Sequence, residues 1–283
     1  MGGCSGKRND EITDDKQSTE TRPSYHALPL KYQFDLPSNA RVWTRGLAIT
    51  DKNQIVVCFR NQFKLLVFDV DGEFMQSCEM AHRPYNAAII PDSSQLVVTL
   101  PGIQSLQYVD TVNWTPGKQV QTRGYCWGIS ITSNNIVVGG DDKIYIMDID
   151  GCYQYTIPVP GNCVRYFALA TREDETKIYF TSQNNNIQCI SMDGTNMFSF
   201  TSPGLISPAG LAIDDLGILF VAGFGSFNIH QLKLDGNDIE NTIILKKEDG
   251  VKQSKALCFN KDRSQLYITV NGGKSLLIYN TKN

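Results

Sequence analysis

The residues of this chain with the most chemistry in them are cations interleaved with aromatic rings. Arg41, Trp43 and Arg45 stand together, followed by Arg83 with Tyr85, then Arg123, Tyr125 and Trp127, then Arg165 with Tyr166, and finally Lys252 and Lys255. Arg60 adds a guanidinium beside two amide side chains, Asn61 and Gln62. Cations neutralise anions, aromatic faces stack on flat groups or fill a partner's pockets, and amides read polar edges. Such a set suits a protein partner above all, and single-stranded RNA second. On the bland alternative, the aromatics close a structural opening and the arginines pair with Asp141, Asp142 or Asp214.

The elements that position these residues follow from a repeat. Gly210 to Gly236, GLAIDDLGILFVAGFGSFNIHQLKLDG, reads as strand, turn, strand, loop, strand, tight turn. Equivalent anchors are Gly46, Ala87, Gly128, Phe167, Gly210 and Ala256, recurring every 39 to 46 residues. Each is followed by a β-branched or aromatic run starting at Ile55, Leu96, Ile136, Ile178, Ile218 and Leu266. Third strands end in Asp-Gly at Asp71-Gly72, Asp150-Gly151, Asp193-Gly194 and Asp235-Gly236, a strong hairpin signal.

Four antiparallel strands at this period predict an all-β, six-bladed β-propeller. The last copy ends after its third strand, Ser275 to Tyr279, so Leu30 to Leu36, LKYQFDL, is expected to close the ring as its outer strand. Small anchor residues (Gly46 with Ala48, Gly128 with Ser130, Gly210 with Ala212, Ala256 with Cys258) fit strands crowded at an axis. In blade four the register puts Phe167 and Leu169 there, and a one-residue shift would restore Ala168 and Ala170. Strand counting places the inter-blade links on one face together with the loops between second and third strands. The ring of cations and aromatics lies on that face.

The phrases GLAIDDLGILFVAG and GLAITDKNQIVVCF, with the recurring Asp-Gly turns, resemble the NHL repeat, and the blade count is similar to the propeller of tripartite-motif proteins. The resemblance runs from about Pro29 to the C-terminus. It implies a recognition propeller whose partner includes ubiquitination substrates or RNA. The RING finger, B-boxes and coiled coil of that family are not in the sequence, and the N-terminal stretch has no CxxC pair from which a zinc finger is built.

Catalysis is the rival class, since related six-bladed propellers include calcium-dependent lactonases and a zinc-dependent amidating lyase. The three histidines are His26 in the lead-in, His82 in a link and His230 inside a third strand, levels that do not converge on a metal. The expected axis-facing residues, Arg45, Asn86, Trp127, Tyr166, Ala209 and Lys255, include no carboxylate for calcium. Asp110, Asp148 and Asp235 recur at third-strand ends, which is turn chemistry. No Gly-rich loop opens a helix. The expectation is a non-enzymatic propeller without cofactor or metal, with a metal-dependent hydrolase or lyase disfavoured.

The 283 residues carry a formal charge of −3, which argues against a protein wrapped in nucleic acid but allows a local basic patch. Eight cysteines lack paired spacing, which favours a reduced, cytoplasmic monomer. Residues 1–24 are almost free of apolar side chains and read as a disordered tail ahead of a propeller spanning 25–283. Gly2 and Cys4 in MGGCSGKR are candidate acylation sites, and two chains there would anchor the protein to a membrane. Gly6 stands where that motif has Ser or Thr.

Overall fold

Apolar five- and six-residue runs separated by turns have one stable outcome here, strands buried on both faces. The structure is a computed structural model, and it describes residues 28–37, 44–59, 61–172, 175–182, 185–235 and 238–282. These form six four-stranded antiparallel sheets arranged as the blades of a propeller. The innermost strands are Thr44–Ile49, Ala87–Ile89, Ile129–Ile131, Phe167–Arg172, Pro208–Ile213 and Leu257–Phe259. The outermost are Phe74–Glu79, Thr115–Gln121, Tyr153–Cys163, Asn196–Phe200, Asp238–Leu245 and, for blade six, Leu30–Asp35.

That last strand pairs antiparallel with Ser275–Asn280, with Gln33 opposite Leu277 and Phe34 opposite Leu276, so the N-terminal strand closes the ring as the sequence predicts. Phe34 also packs on Gly72 of blade one, with its ring centroid 6.3 Å from that of Phe68. Gly72, Gly151 and Gly194 adopt φ of 84°, 83° and 89°, which explains the glycine in each Asp-Gly turn. The aspartates ahead of two of these turns cap them: Asp69 accepts from the Asp71 and Glu73 amides, and Asp148 from Cys152.

The core is divided among six clusters, each between neighbouring blades. Because side chains alternate across a strand, Ile55, Val57 and Phe59 pack toward blade six while Val56 and Cys58 pack toward blade two. All five are fully buried, and each side chain contributes about 1.5–3 kcal/mol for the larger residues. The described cysteines are all free thiols, most of them in these clusters. None of the described residues forms a helix long and apolar enough to cross a membrane. The tail, with Gly2, Cys4 and His26, lies outside the described residues.

Candidate functional site at the channel mouth

Strand pairing sets the residues of the six blades on common levels. Ile55, Leu96, Ile136, Ile178, Leu219 and Leu266 pair with Ile49, Ile89, Ile131, Leu169, Ile213 and Phe259. One residue before these partners stand Ala48, Ala88, Ser130, Ala168, Ala212 and Cys258, a ring of small side chains around the axis. Three before stand Gly46, Asn86, Gly128, Tyr166, Gly210 and Ala256, and four before stand Arg45, Tyr85, Trp127, Arg165, Ala209 and Lys255.

This register corrects three expected positions. Asn86 and Tyr166, not Ala87 and Phe167, are level with Gly46, and the second strand of blade five begins at Leu219 rather than Ile218. Consequently Tyr85 and Arg165 replace Asn86 and Tyr166 on the outer level. The shift in blade four runs opposite to the one that would align Ala168 and Ala170 with Gly46 and Ala48. The turn between first and second strands differs in length from blade to blade, so a fixed offset drifts. Glycine at this level has a steric cause: a Cβ on Gly46 would lie 2.6 Å from Asn86 Cα, and one on Gly210 2.7 Å from the Lys255 carbonyl oxygen.

A channel of about 460 Å³ runs along the axis, lined at one end by Arg45, Asn86 and Tyr166 and at the other by Asp51, Asp92 and Lys261. At the first mouth, here called upper, aromatic rings and cations form a continuous chain from blade to blade. The Arg45 guanidinium lies 5.7 Å from the Tyr85 ring centroid, Tyr85 meets Trp127 edge to face at 5.2 Å, and Arg165 lies 5.7 Å from Trp127. Tyr125 stacks on Trp127 at 5.4 Å and 15°, and is 46% exposed. The Arg45 guanidinium also lies beside the phenol of Tyr166. Lys255, only 9% exposed, extends over Phe224 at 4.8 Å.

Two donors in this cluster, Arg45 Nε and the Tyr85 hydroxyl, are buried without a partner among the described residues. Burial holds the Tyr85 phenol well above its ordinary range, with Tyr166 adding to the effect and Arg45 and Arg165 opposing it. The phenol of Tyr166 is pushed up by burial too, against the pull of Arg45 and Arg165. Both phenols are therefore neutral at pH 7.

Of the remaining expected residues, Arg83 and Arg123 lie apart from this cluster. Arg83 sits over Phe63 at 5.4 Å, and Arg123 lies 3.5 Å from the Tyr153 ring centroid on the flank of blade three. Lys252 is exposed in the link to blade six. Arg41, Trp43 and Arg60 lie outside the described residues. Asp141 forms no ion pair with an arginine among the described residues; it accepts from Trp127 Nε1 at 2.8 Å. Asp142 accepts from the Gly161 amide, and Asp214 from the Leu216 and Ile218 amides. Among the described residues no carboxylate forms an ion pair with Arg45, Arg83, Arg123 or Arg165.

The lower mouth is the reverse. Lys261 of blade six bridges Asp51 of blade one at 2.6 Å and Asp92 of blade two at 3.0 Å, and Arg263 donates to the Ile213 carbonyl. This clamp was not among the expected site residues. The signal for it lay in the repeat, because all three charges occupy the turn after the first strand.

Metal chemistry finds no ready donor set among the described residues, which hold no cluster of three His, Cys, Asp or Glu side chains suited to an ion. His82 lies edge-on to Phe63 at 5.4 Å on the rim. His230 is fully buried in blade five, with its ring nitrogens 2.7 Å from Asn241 Oδ1 and 3.0 Å from the Gly204 carbonyl oxygen.

No family model matches the chain, and no curated protein matches it. Solved propellers resemble it in shape alone. The WD40 repeats of RRP9 superpose with a TM-score of 0.69 at 9% identity, covering 90% of this chain and 98% of that one. An inactive variant of virginiamycin B lyase from Staphylococcus aureus with quinupristin gives 0.66 at 13% identity, covering 89% and 99%. A streptogramin B lyase gives 0.63 at 14%, covering 88% and 97%. At such identities the likeness establishes a six-bladed β-propeller fold, shared by enzymes and by non-enzymatic propellers.

Proposed function

We propose that this chain is a non-catalytic recognition propeller, NHL-like in its repeats, that binds a protein partner through the upper mouth of its channel. The observation that carries the reading is the Arg45–Tyr85–Trp127–Arg165 chain, which presents cations without carboxylate partners beside half-exposed aromatic surface. Arginine, tyrosine and tryptophan dominate binding energy at protein interfaces, and loops on a rigid scaffold are where such contacts are placed. The WD40 neighbour fits a scaffold of this kind. By the NHL resemblance, the partner class is a substrate marked for ubiquitination.

The lyase neighbour is a variant inactivated by replacing a histidine with alanine. Here His82 is on the rim and His230 is buried inside a blade, so neither reaches the channel. That supports binding over lyase chemistry, and incubation with quinupristin tests it: a change in its chromatographic retention would overturn the non-catalytic reading. A second reading, single-stranded RNA, is favoured by the parallel Tyr125–Trp127 stack beside Arg165, which offers one free π-face to a base.

Cross-linking capture from an extract, run with the chain and with Arg165→Glu, tests the main reading. A protein recovered by the parent and lost from the variant is expected. A uridine dodecamer titrated across a salt series tests the second, for which saturable binding that falls steeply with salt is expected. RNA binding without any captured protein would reverse the order of the two readings.

A further inference from the structure

We propose that the upper mouth is a carboxylate site: an acidic segment of a partner protein seats an Asp or Glu side chain over the axis, held by Arg45 Nε and the Tyr85 hydroxyl. This deepens the recognition reading and rests on it. Three observations carry it. The level that opens on the mouth holds Arg45, Arg165 and Lys255 and no acid. Arg45 Nε and the Tyr85 hydroxyl are buried donors without partners among the described residues, and such donors are costly to leave unmet. The guanidinium of Arg45 lies 5.7 Å from the centroid of the ring that carries the second donor, which makes the two groups neighbours.

The chemistry of the ligand follows from the donors. Arg45 Nε can only donate and the Tyr85 hydroxyl can donate, so the ligand supplies acceptors, and it carries negative charge because Arg45 and Arg165 both lie near Tyr85 and Tyr166 without carboxylate partners among the described residues. Two donors match the two oxygens of one carboxylate. Asp141, in blade three, is already engaged by Trp127 Nε1. At the lower mouth, by contrast, Lys261 meets both Asp51 and Asp92. Tyr166 lines the channel at the same end as Arg45.

The test uses the full chain and an acetylated, amidated dodecapeptide of alternating Glu and Gly, with the Gln–Gly peptide as its uncharged twin. Binding is read from the Trp127 indole Nε1–H resonance, assigned by its loss in Trp127→Phe, which detects complexes as weak as about 1 mM. The expected result is a saturable shift with the glutamate peptide and none with the glutamine peptide. Tyr85→Phe, which removes only a hydroxyl, is expected to weaken binding about tenfold, and Arg45→Met at least as much, while Lys118→Met on an outer strand leaves it unchanged. Equal response to both peptides, no response to either, or full affinity in Tyr85→Phe and Arg45→Met overturns the site. If the uridine dodecamer shifts the resonance and the glutamate peptide does not, the mouth binds RNA and the proposal falls. If the peptide fails while a captured protein still depends on Arg165, the carboxylate site falls and the recognition reading stands.

Discussion

The guanidinium of Arg45, in blade one, lies beside the phenol of Tyr166, in blade four, on the opposite side of a six-bladed ring. Tyr166 stands at a level where other blades carry Gly46, Gly128, Gly210 and Ala256. With Asn86 in blade two the exception of intermediate size, Tyr166 is the one large residue at this level, and it lines the channel. Tyr166→Phe keeps the ring but removes the acceptor, and is expected to lower the free energy of urea unfolding by about 1 kcal/mol at unchanged m-value. Tyr166→Gly, which restores the repeat residue, loses the buried ring as well and is expected to cost about 2 kcal/mol more. A Tyr166→Phe midpoint equal to the parent's would show that the hydroxyl and Arg45 do not interact across the axis in solution.

The separation of Arg165 from Arg123 makes a second prediction. Arg165 belongs to the mouth through Trp127, whereas Arg123 lies on the flank of blade three over Tyr153. Arg165→Glu is expected to reduce binding of the glutamate dodecapeptide by at least tenfold, about 1.4 kcal/mol. Arg123→Glu loses a cation–π contact worth about 0.5–1 kcal/mol of stability, with no more than a few-fold effect on the peptide. Comparable losses of affinity in both variants would place the ligand across the whole face instead of at the mouth.

Much of this architecture is legible in the sequence because the forces that make it are local and periodic. Runs such as IVVCF and LVVTL, and the glycines of the Asp-Gly turns at positive φ, fix strands and hairpins wherever they occur. The alternation of LKYQFDL was enough to identify the strand that closes the ring. Register was legible only in part. The turn between first and second strands differs in length between blades, with Ile49 opposite Ile55, Ile89 opposite Leu96 and Leu169 opposite Ile178, so the anchors of blades two and four lie one residue from where a fixed offset puts them. One residue decides whether Tyr85 or Asn86 stands on the outer level. The composition of the mouth was visible, but its division into a central cluster and outlying Arg83 and Arg123 depends on which neighbouring ring each guanidinium covers, and no spacing encodes that.

Ring closure depends on a contact between Phe34 and Gly72. A Cβ at Gly72 would lie 2.5 Å from the Phe34 ring, at a backbone φ of 84° that L side chains rarely adopt. Gly72→Ala is therefore expected to destabilise the chain by about 1–3 kcal/mol, through strain at the turn and displacement of the closing strand. Phe34→Ala, which leaves the turn alone, removes a partly buried ring and is expected to cost about 2 kcal/mol. Limited proteolysis separates the two effects of the glycine variant. Cleavage between residues 30 and 36 should accelerate in both variants, and unchanged cleavage in Gly72→Ala would mean that the strain stays in the turn.

The buried thiols predict an alkaline limit to stability. Burial raises Cys126 and Cys189 from the ordinary 9.0 to about 11, because a thiolate between two blades would lose its water. Cys126 also donates to the Ser105 carbonyl oxygen at 3.3 Å, which holds the neutral form in place. A group whose pKa is higher folded than unfolded contributes stability that is complete below the unfolded value and is lost as pH rises toward the folded one. Between pH 9 and about 11 the unfolded chain ionises these thiols while the native chain does not, at a cost of order 1–2 kcal/mol for each. The urea midpoint should therefore fall across that window, and Cys126→Ala should flatten the fall even though it lowers the midpoint at pH 7 by leaving a small cavity. At pH 8 the exposed Cys152 should react with iodoacetamide well before Cys126 or Cys189. Equal alkylation of Cys126 and Cys152 would mean that the cluster between blades two and three opens on the timescale of the reaction, and that the mouth built on those blades by Tyr85 and Trp127 is not a rigid one.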